Sequence, residues 1–465
     1  MSKQILIVLG ILLVFGCADV SKEDQLQTGC SGGSESTPEN EYVSPAPTPA
    51  PTPTDTTPTD TTSTVSSWTK QLGTSSSDTG IDITGDSSGN IYVTGNTGGD
   101  LEGNTSAGGF DIFVVKYNSS GTKQWTQQLG TSSTDYAGGI ATDSSSNVYV
   151  TGHTQGGLDS NTNVGGQDLF VVKFNSSGVK QWTQQLGTSA TEYGTGITTD
   201  SSGNVYVGGY TEGSLDGNTS AGESDFFVVK YNSSGVKQWT QQLGTSADDL
   251  GYSITGDSSG NVYVTGYTRG GLDGNTSAGK LDLFLIKYNS SGVKQWTQQL
   301  GTSAHDYGQG VTIDSSGNVY VVGRTEGSLD GNTSAGDADL FVVKYNSSGV
   351  KQWTQQLGTS IRDSGEGITS DSSGNVYVTG FTSGGLDGNS TAGGIDLFVV
   401  KYNSSGTKQW TRQLGTTSSD SGNGITSDSS DNVYVTGYTT GSLDRANTGN
   451  YDLIVVKYNS SGVKQ

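Results

Sequence analysis

Tryptophan occurs at positions 68, 125, 182, 239, 296, 353 and 410 and nowhere else, so that every interval is 57 residues. A fixed period of this length marks a chain built from copies of one supersecondary unit. Within one period, four segments alternate in the two-residue rhythm of strands: "TGITTD" from 195, "NVYVGGYT" from 204, "DFFVVKYN" from 225 and "VKQWTQQLG" from 236. The stretches "DSSGN" and "NSSG" supply the glycine and asparagine of tight turns, and an eleven-residue loop, "EGSLDGNTSAG", joins the second strand to the third. No helical periodicity follows the N-terminal leader. A four-stranded antiparallel unit repeated seven times is the pattern of an all-β, seven-bladed β-propeller. Valine, isoleucine, tyrosine and phenylalanine of the two central strands are expected between blades. Trp125 and its equivalents should cover the outer part of each junction, and the small residues of the first strand should crowd a central channel.

The two ends of the repeat region complement each other. The last unit offers strands at about 423–428, 432–439 and 452–459 and stops at Gln465 before a tryptophan strand, whereas "SSWTKQLGT" from 66 is a tryptophan strand without a blade. A tryptophan after Gln465 would fall at 466, which is 398 residues from Trp68, or seven periods less the one residue missing from "LDRANTGNYD". Trp68 is therefore expected to complete the last blade and close the ring, leaving no open sheet edge. The pattern "DSSGNVYVTG…DLFVVKYNSSGVKQW" resembles the bacterial SBBP β-propeller repeat over 68–465. That resemblance implies a fold and a surface location and brings no catalytic residues to transfer.

Ahead of the repeats, "MSKQILIVLGILLVFGC" sets Lys3 before an apolar run from Ile5 to Phe15, too short to span a bilayer and of the length of an export signal. Val14, Phe15, Gly16 and Cys17 resemble the lipobox of bacterial lipoproteins, although Phe15 stands where a small residue is usual. The resemblance implies cleavage after residue 16 and acylation of Cys17, with Ala18 at the following position leaning towards the outer membrane. Residues 17–64 hold all seven prolines in a Ser/Thr/Pro-rich stretch with almost no apolar side chains, a composition expected to remain an extended tether of ~40 to ~150 Å rather than fold. The propeller is then expected over 65–465. The chain has two cysteines; if Cys17 carries lipid, Cys30 has no internal partner, and an intermolecular disulfide is its remaining pairing in an otherwise monomeric protein.

Eight acids and two lysines precede Trp68, which leaves 37 acids against 21 bases and a net charge of −16 over 68–465. Nucleic acid is excluded as a partner on this balance. The loops from fourth to first strand and from second to third should emerge on one face. There each blade is expected to present an acid: Asp78, Asp135, Glu192, Asp249, Asp306, Asp363 and Asp420. In the long loop, Asp216, Asn218, Ser220 and Asp225 place oxygen side chains at alternate positions before a carboxylate, a spacing compatible with calcium but more simply with an Asx turn that satisfies its own backbone. No other cofactor is indicated. Only two histidines, His153 and His305, occur, in different blades, which removes zinc sites and histidine-dependent triads. Arg269, Lys280, His305, Arg324 and Arg362 fall where other blades mostly carry neutral or acidic residues, all on that face or its rim across blades four to six, a patch suited to a carboxylate or a sulfated glycan. The sequence thus points to a surface-tethered multivalent binding or adhesion module for a glycan or protein ligand. The alternatives are a polysaccharide-acting hydrolase or lyase with carboxylates at the channel mouth, and a purely structural surface protein.

Overall fold

A computed structural model describes residues 68–465. The expected signal at 1–16, the expected acylation site Cys17, Cys30, the expected tether at 17–64 and the first residues of the expected propeller lie outside the described residues.

The described residues form seven four-stranded antiparallel sheets, each a blade. In the third blade the strands are Glu192–Thr199, Val205–Thr211, Asp225–Tyr231 and Lys237–Leu243, running outward from the channel. The second and third strands read as continuous apolar runs because both faces are covered by neighbouring blades. One junction packs Tyr149 and Val171 of the second blade against Val205, Val207, Phe227 and Val229 of the third, with Trp182 on its outer side. Each tryptophan ring rests on the turn glycine of the next blade: a methyl on Gly235, at φ +80°, would come within 2.9 Å of the Trp182 ring. The turn therefore requires glycine twice over, for its left-handed backbone and for its space.

Closure follows the expected route. Lys70–Leu72 pairs antiparallel with Asp452–Tyr458, and the Trp68 backbone N–H donates to the Gln465 carbonyl at 3.0 Å. The seam also reproduces the side-chain bonds of an ordinary blade. Gln71 Nε2 donates to Asp452 Oδ2 at 2.8 Å, as Gln128 Nε2 does to Asp111 Oδ2 at 2.8 Å within the first blade.

Two expected boundaries shift. The first strand begins at its acid, Glu192 rather than Thr195, because every first strand carries a β-bulge that breaks the two-residue alternation; in the third blade it falls between Gly194 and Gly196. The link from second to third strand runs from Glu212 to Ser224 and contains a single 3-10 turn, Leu215–Gly217, whose leucine is fully buried.

Candidate ligand site at the channel mouth

The acids expected on the loop-bearing face are not there. Asp78, Asp135, Glu192, Asp249, Asp306, Asp363 and Asp420 are all 0% exposed. Each begins a first strand and bonds inward. Asp249 Oδ2 accepts from the Thr245 hydroxyl at 2.8 Å, and the Thr211 hydroxyl donates to Glu192 Oε1 at 2.8 Å. The bulge is the physical cause, since it draws the start of the strand three residues earlier than alternation indicates.

Beside each of these acids stands a second buried carboxyl from the preceding blade. Asp225, one of the candidate calcium residues, is 0% exposed; its Oδ2 accepts from Gln242 Nε2 at 2.8 Å and Ala221 N at 2.7 Å, while Oδ1 has no hydrogen-bond partner among the described residues. A methyl on Gly244 would lie 1.9 Å from Asp225 Oδ1 and 3.1 Å from Asp249 Oδ2, so the two carboxyls meet over this glycine. Burial, and then the charge of Asp225, push the Asp249 pKa up against bonds from Thr268 and Thr245. Asp225→Asn should therefore stabilise the protein by about 1 kcal/mol at pH 7, because the amide keeps the acceptor and turns the orphan oxygen into a donor facing Asp249. With Asp249 protonated near pH 3 the gain should vanish, a difference readable in urea unfolding at the two pH values.

The remaining candidate calcium residues also have protein partners. Asp216, in the left-handed region at φ 53°, forms an ion pair with Lys237 and accepts from the Thr240 hydroxyl at 2.8 Å. Asn218 Nδ2 donates to the Leu215 carbonyl at 2.9 Å and Ser220 Oγ to the Gly222 carbonyl at 3.1 Å. The four residues thus bond to the loop and to the neighbouring strand rather than converging on one point. Among the described residues no group of three or more histidine, cysteine and carboxylate side chains is placed to hold a metal.

The basic patch is brought together only in part. Arg269 is exposed and forms an ion pair with Asp248 at 3.2 Å, and Lys280 is exposed in the long loop. His305 is half-buried, its ring centroid 6.0 Å from that of Tyr307 and nearly parallel to it. Arg324 is 8% exposed, not a rim residue, and its guanidinium lies 3.9 Å from the centroid of Tyr307. Arg362 is half-buried over Phe381 at 5.4 Å.

These arginines belong to a larger arrangement. In seven otherwise similar second strands, the residue before the final threonine takes five identities: Asn96, His153, Tyr210, Tyr267, Arg324, Phe381 and Tyr438. The second residue of the first strand, paired with it in the ladder, also varies: Thr79, Tyr136, Tyr193, Leu250, Tyr307, Ser364 and Ser421. So does the bulged residue, which is Tyr252 in the fourth blade and Glu366 in the sixth. The first two positions lie one residue below the loop-bearing face, and their rings form a belt. Ring centroids are 5.6 Å apart for Phe110 and Tyr136, 5.2 Å for Tyr136 and His153, 4.7 Å for His153 and Tyr193, and 4.6 Å for the stacked Tyr193 and Tyr210. Tyr267 continues it, 5.5 Å from Tyr252 and 5.3 Å from Tyr307. Burial pushes the His153 imidazole down to about 3, so it is neutral at physiological pH. A groove of about 510 Å³, lined among others by Ser76, Phe110, Thr134 and Tyr136, opens at the start of the belt. Sequence reasoning that compared the blades for sameness passed over this belt; the signal that finds it is the set of columns where near-identical repeats disagree.

Seven like sheets closed around a channel, with the unrepeated side chains gathered under one face, define a β-propeller repeat protein. The family model described as "Beta-propeller repeat", SBBP, matches residues 67–102, 124–159, 181–216, 238–273, 295–330, 352–387 and 409–444. The chain belongs to that family. It is similar to the uncharacterized WD repeat-containing protein L264 of Acanthamoeba polyphaga mimivirus, 23% identical over 74% of this chain and 34% of that protein. It is also similar to the regulatory protein FlaEY of Caulobacter vibrioides, 25% identical over 55% of this chain and 29% of that protein. The chain thus spans about a third of the length of these curated relatives. Among solved structures, the WD40 β-propeller domain of Doa1 aligns with a TM-score of 0.47 at 8% identity, covering 83% of this chain and 95% of that domain.

Proposed function

We propose that this protein is an exported binding or adhesion module, held at the bacterial cell surface by lipid on Cys17 and presenting the loop-bearing face of its propeller to an extracellular glycan or protein. The observation that carries the reading is the concentration of blade-to-blade differences in the belt from Phe110 to Phe381, beneath that face. Aromatic rings joined to polar tips suit ligands with both apolar faces and hydroxyl groups. Contact with ligand moves accordingly from seven equivalent loops to one composite surface, because the repeated loop groups are engaged internally: Lys180, Lys237, Lys294, Lys351 and Lys408 each pair with the loop aspartate of their own blade. Avidity then comes from the density of tethered copies rather than from the blades of one copy.

A glycan array incubated with the full chain, scored for both retention and cleavage, tests this. Retention without turnover, lost in Tyr193→Ala, is the expected result. Turnover would favour the hydrolase or lyase reading, and a blank array the purely structural one. Repeating the incubation with added calcium tests the loop: if the Asp216 set binds the ion, it must give up Lys237, and retention or thermal midpoint should respond.

A further inference from the structure

Between the fifth and sixth blades the aromatic belt meets two guanidinium groups. Arg324 stands opposite Tyr307 and Leu340 in the ladder and is more than nine-tenths buried. Among the described residues no carboxylate forms an ion pair with it and no acceptor takes a hydrogen bond from it; what it has is the face of Tyr307, 3.9 Å from the guanidinium carbon. A buried arginine ordinarily finds a carboxylate or carbonyl, because its five donors are costly to leave unmet. Stacking covers the face of the cation and leaves its N–H edge, the edge that grips oxyanions in a bidentate fork.

Arg362 reaches the same place from the start of the next blade: its backbone bridges to Ala338, two residues before the Leu340 that faces Arg324 in the ladder. Burial and then the charge of Arg324 lower its pKa, with Glu366, Tyr307 and Glu326 acting in the opposite sense. Two like charges are thus held together beneath one face of an acidic protein. His305 adds a ring nearly parallel to Tyr307, with its Nδ1 buried and without a hydrogen-bond partner among the described residues. An anion seated here would relieve the repulsion and take up the N–H edge of Arg324 at once.

We infer that Arg324 and Arg362 form an oxyanion subsite within the channel mouth, taking the carboxylate or sulfate group of an acidic saccharide whose rings rest on the neighbouring tyrosines. The inference rests on the proposal that the mouth is the ligand surface and names the class of ligand it takes.

Calorimetric titration of the full chain with tri-galacturonate, its neutral methyl ester and a sulfated galactose trisaccharide separates the possibilities. The charged probes should bind at least about tenfold more tightly than the ester, and whichever of them binds better identifies the group as carboxylate or sulfate. Arg324→Gln and Arg362→Gln should each abolish that preference, and Tyr210→Ala should weaken all three probes. Arg362→Gln keeps the test valid if the Arg324 variant does not fold. Equal affinity of the parent for charged and neutral probes, or a preference that survives both arginine variants, overturns the subsite; if Tyr210→Ala still weakens binding in that case, the mouth remains the ligand surface. Binding of every probe unchanged by Tyr210→Ala, or absent, overturns both.

Discussion

Replacing Trp68 by alanine is expected to destabilise the propeller by about 3–5 kcal/mol, the range for an aromatic side chain truncated inside a packed core. Trp68 is 5% exposed and is the one tryptophan in the buried core, the others being only partly buried. Its ring meets Tyr434 edge-on at 4.9 Å and lies 6.0 Å from Tyr117, its Nε1 donates to the Ser119 carbonyl at 3.2 Å, and Gly121 packs beneath it. Its six counterparts each follow the third strand of their own sheet along the chain, whereas Trp68 comes from the opposite end of the repeat region to complete the last blade and supplies the seam between first and last blades. A chain beginning at Thr74 should lose more still. It forfeits the strand Lys70–Leu72, the bond from Gln71 to Asp452 and the bond at 3.0 Å from Leu443 N to Gln71 Oε1, and it bares the edge of Asp452–Tyr458. Urea unfolding of parent, Trp68→Ala and the shortened chain should give midpoints falling in that order; coincident midpoints would contradict the closure.

The second large effect concerns pH and a single carboxyl. Asp82 occupies the inner strand where the other blades place Gly139, Gly196, Ser253, Gly310, Gly367 and Gly424. Burial pushes its pKa up to about 6, against hydrogen bonds at 3.0 Å from Ile140 N and 2.8 Å from Ile83 N that favour the ionised form. A folded-state pKa above that of the unfolded chain means that the native state holds its proton longer. The contribution of Asp82 is then fully present below about pH 4 and is lost as the pH rises through about 6. A shift of this size corresponds to about 2–3 kcal/mol. Asp82→Gly, which restores the residue of most other blades, should remove that slope while adding a pH-independent cost of up to about 1 kcal/mol for the extra glycine. Unfolding free energies of both proteins at pH 4 and pH 7.5 check this: the parent should lose about 2–3 kcal/mol more than the variant between the two values. Parallel behaviour of the two proteins would place Asp82 in contact with water.

The architecture was legible because its signals are repeated and local. Seven tryptophans at one spacing, turn residues between alternating segments and a tryptophan strand lacking a blade leave a closed ring of seven as the consistent reading, and Trp68 pairs as that reading requires. The channel mouth was legible only in part. Strand alternation put the first-strand acids in a surface loop, because the bulge before Gly196 shifts the pattern by one residue and no local composition marks it. Asp216 and Asp225 kept the spacing of a cation loop, but the residues that engage them, Lys237, Thr240 and Gln242, lie on the fourth strand and become neighbours only through folding. Arg324 read as a rim residue because a charged side chain in a polar chain suggests solvent. Its burial depends on Tyr307, whose contact with it runs across the strand pair rather than along the chain.

Hydrogen exchange of the full chain, with and without whichever glycan the array retains, tests the central claim most directly. A single composite mouth predicts slowed exchange confined to the ends of strands facing the belt, around 135–153, 192–210, 249–267, 306–324 and 362–381. Equal protection at all of the repeated long loops, with those segments unchanged, would mean that the blades bind independently and that the mouth is not the site.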